Sequence, residues 1–178
     1  MHAGAQFGGL RGGLYSSFNL GPARVNRHFG DDEQKSQFYS ASLLTGHFIG
    51  PHLHAGVLVC GYFFEDVSDP ADGENFANAL GQLRCYPWSK HRVYLSAGYG
   101  GSQYFQKTTA IPKENIKGAV YLISIGNEVR SKRYPRVFGG LQGTFTQARF
   151  EGEVQNTVHG YLKRKLHTFE FSFFLAMD

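Results

Sequence analysis

The chain has 178 residues and a formal net charge of +4, with 23 Gly, 16 Phe and 10 Tyr against only 18% charged residues. That balance excludes disorder, which needs high charge and few aromatics. It argues against a helical protein, because glycine weakens helices while aromatic and β-branched side chains favour pleated sheets. The length fits one domain, residues 1–178, able to bury a core without staples.

Period-two patterning predicts eight strands. In chain order they are Leu10–Leu20, Gln37–Thr45, Pro51–Phe64, Phe76–Tyr86, Arg92–Phe105, Gly118–Val129, Arg136–Ala148 and His159–Ala176. In the second, Tyr39, Ala41 and Leu43 oppose Ser40 and Ser42. The third is apolar on both faces at Val57, Leu58 and Val59, which leaves its orientation open. In the fifth, Val93, Leu95, Ala97 and Tyr99 alternate with Arg92, Tyr94, Ser96 and Gly98. In the seventh, Val137, Leu141 and Phe145 oppose Gln142, Thr144 and Thr146. The last has the clearest alternation, with His167, Phe169, Phe171, Phe173 and Leu175 on one face and Thr168, Glu170 and Ser172 on the other.

The connections alternate in length. RVNRHFGDDEQKS is long, GHFIG short, EDVSDPADGEN long, PWSKH short, QKTTAIPKENIK long, RSKRY short and RFEGEVQNTV long. An up-and-down barrel in an outer membrane has this asymmetry, with short turns on the periplasmic side and longer outer loops. An even strand number puts both termini on the short-turn side. The fold class expected is therefore all-β, a closed antiparallel eight-stranded barrel of transmembrane type.

Periodicity does not say which face points inward. In a soluble barrel the apolar face fills the core; in a membrane barrel it meets lipid. Three features favour lipid. The second face is rich in small polar residues (Gly13, Ser17, Ser40, Ser42, Ser96, Gly98, Gly140, Thr144) that suit a narrow lumen. Aromatics gather near strand ends, at Tyr62, Phe63, Phe64, Tyr86, Trp88, Tyr99, Tyr104 and Phe105, as interfacial girdles would. A closed sheet also leaves no edge unpaired in hydrocarbon. A soluble barrel binding a small hydrophobic ligand is the alternative.

The segments LGQLRCYPWSKHRVYLSAGYGG and KGAVYLISIGNEVRSKRYPRVFGGLQGTF both run strand, short turn, strand, with Gly and aromatics alternating, and FEFSFFLAMD is an aromatic-rich last strand. In these segments the chain resembles the small eight-stranded outer-membrane barrel proteins of Gram-negative bacteria, the OmpA/OmpX-type group. The resemblance spans essentially the whole chain. It implies a monomeric outer-membrane protein in contact with bilayer lipid and lipopolysaccharide, and an extracellular partner reached through the longer loops. The group usually ends on an aromatic residue, whereas this chain ends Ala176-Met177-Asp178. No apolar signal-peptide stretch is read in MHAGAQFGGLRGG, so an export signal is expected to be absent from this chain.

A charge in a narrow lumen is costly unless paired. Glu170 with Arg84, Arg92 and Arg11 is the candidate interior polar network, plugging the barrel. No cofactor or metal is expected. His52 and His54, with His47 nearby, sit at two-residue spacing but lack a further ligand in sequence. His159, His167 and Ser172 near the last strand are the residues a lipid-modifying enzyme of this class would draw on, yet they form no recognisable active-site phrase. Gly100-Gly101 and Gly139-Gly140 do not have phosphate-loop spacing. The basic residues are scattered, with Lys163-Arg164-Lys165 the only run of three, so nucleic acid is not expected as a partner. Cys60 and Cys85 make no metal-binding pair, and spacing alone does not say whether they are joined.

Overall fold

The computed structural model describes residues 13–29, 32–65, 73–88, 92–107, 114–134, 136–152 and 162–177. These form β1 (Leu14–Phe29), β2 (Asp32–Phe48), β3 (Leu53–Glu65), β4 (Gly73–Cys85), β5 (Val93–Lys107), β6 (Glu114–Arg130), β7 (Val137–Gly152) and β8 (Leu162–Met177). Each strand pairs antiparallel with its sequence neighbours, and β8 pairs with β1, so the sheet closes on itself.

The register fixes the shape. Phe18 on β1 faces Leu43, and the same rung runs on through Val59, Ala79, Gly101, Ala119, Arg149 and Lys165. Lys165 returns to β1 at His28, ten residues beyond the start. A stagger of that size on eight strands tilts them by roughly 35–45° to the barrel axis and leaves a lumen just wide enough for side chains to fill.

The apolar face points outward. Phe169, Phe171, Phe173 and Leu175 are all exposed, while Thr168, Glu170 and Ser172 are buried. The same division holds around the wall: Leu20, Leu43, Val59, Leu83, Leu95 and Ile123 are outside, and Ser17, Ser42, Gln82, Ser96, Ser124 and Thr144 are inside. The third strand, ambiguous in sequence, turns Val57 and Val59 out and Leu58 in. The lumen is less polar than expected, because Leu44, Leu58, Leu80 and Leu122 share it with the hydroxyl and amide groups. A close-packed interior takes the side-chain volumes that fit, and a Leu between Ser and Gln rows fills space that small polar groups leave open.

Strand ends depart from the sequence expectation in a consistent way. β1 and β2 extend through RVNRHF and DEQKS until Phe29 pairs with Asp32, so only residues 30 and 31 separate them where a long connection was expected. At the same end β5, β6 and β7 also run on into polar stretches read as loop. Strands of 13 to 17 residues exceed the roughly 9–11 that cross a bilayer. The outward residues of the extensions are polar: Arg24, Lys35, Gln37, Asn75, Lys117, Arg149 and Lys165. At the opposite end the outer face stays apolar almost to the turns, through Leu14, Ile49, Val129 and Met177. The asymmetry therefore lies in where the strands stop being greasy more than in loop length.

Candidate functional site

Residues at the apolar ends of the strands meet inside the lumen. Tyr15 is the second residue of β1, His54 the second of β3, Tyr94 the second of β5, Arg84 the last but one of β4, and Glu128 lies two before the end of β6. Period-two alternation turns each of them inward, and all five are buried. One carboxylate oxygen, Glu128 Oε1, accepts from Tyr86 Oη at 2.6 Å, Tyr15 Oη at 3.1 Å and Arg84 Nη1 at 3.4 Å. Arg84 Nη1 also donates to Tyr15 Oη at 2.6 Å. The guanidinium lies 3.9 Å from the centre of the Tyr94 ring. Tyr94 Oη in turn donates to Gln142 Oε1 at 2.5 Å, and Gln142 Nε2 donates to Thr144. These contacts tie β1, β4, β5, β6 and β7 together through the middle of the barrel. Ion pairing, hydrogen bonds and an aromatic face share the work of holding one buried cation, which is what its desolvation demands.

Two glycines leave room around this cluster. A Cβ on Gly126 would run into the Tyr94 ring, and one on Gly140 would meet the Phe174 ring and the Asn127 carbonyl. Phe48 packs edge-on to Tyr15 and His54, completing an aromatic floor.

A second polar group lies further up. Tyr62 Oη donates to Glu170 Oε2 at 3.2 Å and lies against Thr146, while its ring stacks on Phe76 at 4.2 Å. Between the two groups run short pairs across neighbouring strands: Asn19 to Ser42 at 2.6 Å, Gln82 to Ser96 at 2.7 Å, Ser96 to Ser124, and Ser102 to Asn78. Asn78 also donates to the Cys60 thiol at 3.5 Å.

Of the four residues expected to form one interior network, Glu170 and Arg84 are buried in the lumen but in separate groups. The acid that meets Arg84 is Glu128, which the sequence reading did not single out. Alternation from Ser124 would have placed it, since Ser124, Gly126 and Glu128 share one face. Arg92 lies just before β5, half-buried, with its guanidinium 4.9 Å from the Phe138 ring. Arg11 lies outside the described residues.

Other expectations need correction. Tyr62, Tyr86 and Tyr104 fill the lumen instead of forming an outer girdle, because their strand parity is that of the small polar face. Phe63, Trp88, Tyr99 and Phe105 do face outward, and the side chain of Phe64 lies outside the described residues. His52 is exposed in the β2–β3 turn and bonds the Tyr86 carbonyl, whereas His54 is inside the lumen. No group of three metal-ligating side chains occurs among the described residues. His167 faces outward against Phe145 while Ser172 faces inward, so they share no site; His159 lies outside the described residues. Cys60 is buried and pairs in register with Asn78; Cys85 is exposed and pairs with Leu53, far along the same hairpin, and both thiols are free.

No family model and no curated protein matches this sequence. Solved structures do. Neisserial surface protein A superposes with a TM-score of 0.61 at 14% identity, covering 95% of this chain and 98% of the other. Ail, the attachment invasion locus protein of Yersinia pestis, determined in complex with the heparin analogue sucrose octasulfate, gives 0.52 at 9% identity over 92% and 99%. The outer membrane protein AlkL gives 0.51 at 11% identity over 94% and 91%. At these identities the likeness establishes the fold: a closed eight-stranded barrel of the outer-membrane type.

Proposed function

We propose that this chain is an integral protein of a bacterial outer membrane, monomeric, with its lumen closed by its own side chains and both termini on the periplasmic side. Its role is structural or interactive, carried by the outer surface and the connections at the polar end of the barrel. The observation that carries this reading is the plug: Arg84, Glu128, Tyr15 and Tyr94 are each nearly inaccessible and are bonded to one another from opposite sides of the lumen. An ion pair bonded across the lumen in this way supports a barrel closed to solutes. The outward apolar belt supports the membrane reading, since contiguous exposed apolar surface on this scale needs a partner phase. The sulfated-sugar complex of Ail, a barrel of the same fold, supports an interaction role for such a scaffold.

The test is conductance. Refolded protein, shown to be inserted by resistance to urea and by a heat-dependent shift in gel mobility, is added to a planar lipid bilayer. No stepwise current is expected. Stable openings by the wild-type chain would overturn the closed-lumen reading, and failure to insert would overturn the membrane reading itself.

A further inference from the structure

The seam between β1 and β8 is interrupted. The strands pair from Ser16 to Leu20 and again from Ala23 to Phe29, but not at Gly21 and Pro22. Pro22 has no N–H to give to a ladder. Beside the interruption the wall holds a hollow of about 440 Å³. Pro22, Tyr39, Phe169 and Phe171 line it from the exposed face of the sheet, and Phe38 and Glu170 line it from the lumen face. A buried carboxylate therefore borders a recess whose other walls meet the bilayer side.

Glu170 is 7% exposed, and Tyr62 Oη donates to it at 3.2 Å with the hydroxyls of Ser40 and Ser172 beside it. Among the described residues no cation pairs with it, unlike Glu128, which holds Arg84. A buried carboxylate without a counter-charge is costly, and the hollow offers a cation a place next to it. Aromatic rings at Tyr39, Phe169 and Phe171 also attract an ammonium group. Arg24 lines the same hollow with the opposite charge. It stands in register with Phe169 and Gln37, one step beyond the Ala23–Glu170 pair, so it leaves on the outer face while Glu170 turns inward. The hollow is thus negative at its base and positive at its rim.

We propose that it binds a zwitterionic amphiphile with a terminal quaternary ammonium, of the phosphocholine kind, drawn from the surrounding leaflet. The ammonium lies next to Glu170 among the aromatic rings, the phosphate rests on Arg24, and the alkyl chain runs down the outer wall over Phe171 and Phe173. The order of charges selects this occupant. An anionic amphiphile meets Arg24 but leaves Glu170 without a counter-charge. A purely cationic one suits Glu170 but is repelled by Arg24 at the entrance. A headgroup with its cation outermost and its anion one step behind matches both. The inference rests on the reading of the chain as an outer-membrane barrel whose apolar belt lies in lipid.

The test uses the full chain folded in nonionic maltoside micelles, with folding confirmed by the heat-dependent gel shift. Three probes share one alkyl chain: dodecylphosphocholine, dodecylphosphoglycerol and dodecyltrimethylammonium. Native mass spectrometry reads how much of each the folded chain retains. Wild type should retain dodecylphosphocholine at least about tenfold better than either of the others. Glu170→Gln, which keeps the side chain's shape, should lose the advantage over dodecylphosphoglycerol. Arg24→Gln, altered only on the outer wall and so measurable even if the lumen variant fails to fold, should lose the advantage over dodecyltrimethylammonium. Equal retention of the three probes by wild type, or unchanged selectivity in either folded variant, would overturn the site while leaving the membrane reading intact. A wild-type chain that neither folds in micelles nor inserts in vesicles would overturn the membrane reading, and the site with it.

Discussion

Arg84 is held by one carboxylate, one phenol and an aromatic face, so its partners are not interchangeable. Replacing Glu128 with Leu leaves a buried cation without its acid and should cost about 3–5 kcal/mol. The double variant R84M/E128L removes both charges and should recover most of that loss. Urea unfolding from lipid vesicles measures both; a single variant as stable as wild type would show that the pair does not hold the barrel together. At Gly126 the constraint is volume: Gly126→Leu drives a side chain into the Tyr94 ring and should destabilise by about 1–3 kcal/mol in the same assay. The sequence disclosed that Arg84 and Glu170 would turn inward, because parity along a strand is a local property. It did not disclose that Arg84 would meet Glu128, because their strands are not neighbours and only the closed register brings them together.

Strands carry the membrane argument. β8 presents Phe169, Phe171, Phe173 and Leu175 outward in the middle of the belt, so Phe171→Arg should cost about 2–4 kcal/mol in vesicles. Gln37→Arg, on the polar extension of β2, should cost no more than about 1 kcal/mol. Equal penalties at the two positions would mean that the belt does not mark hydrocarbon. Alternation was legible in the sequence wherever one face was apolar and the other polar, as in β8 and β5. It failed to mark strand ends at the polar end of the barrel, because a strand that has left hydrocarbon is polar on its outer face and then looks like loop. Nearness to a strand end misplaces Tyr62, Tyr86 and Tyr104, since it says nothing about which face an aromatic occupies; parity does.

Closure of the whole barrel makes two chemically identical thiols unequal. Cys60 is walled into the lumen and Cys85 faces outward at the end of β4. A membrane-permeant maleimide should label one thiol per folded chain and two after denaturation, with Cys85→Ser abolishing labelling of the folded form. Labelling of Cys60 in the native state would mean that the lumen opens to reagents. The closed eight-stranded fold was readable from strand number and alternation, whereas the stagger was not, because it is fixed only when β8 pairs with β1, at opposite ends of the chain.

That pairing has a consequence for how the molecule is made. The seam joins the earliest strand to the latest, with Ser16 lying against Met177. Seven strands without the eighth would be a curved sheet with two raw borders, a poor occupant of oil and a ready template for its neighbours. Assembly therefore ends in a single zipping event, available only when the final stretch of polypeptide arrives. A cell making this protein has reason to keep a chaperone on it until that moment.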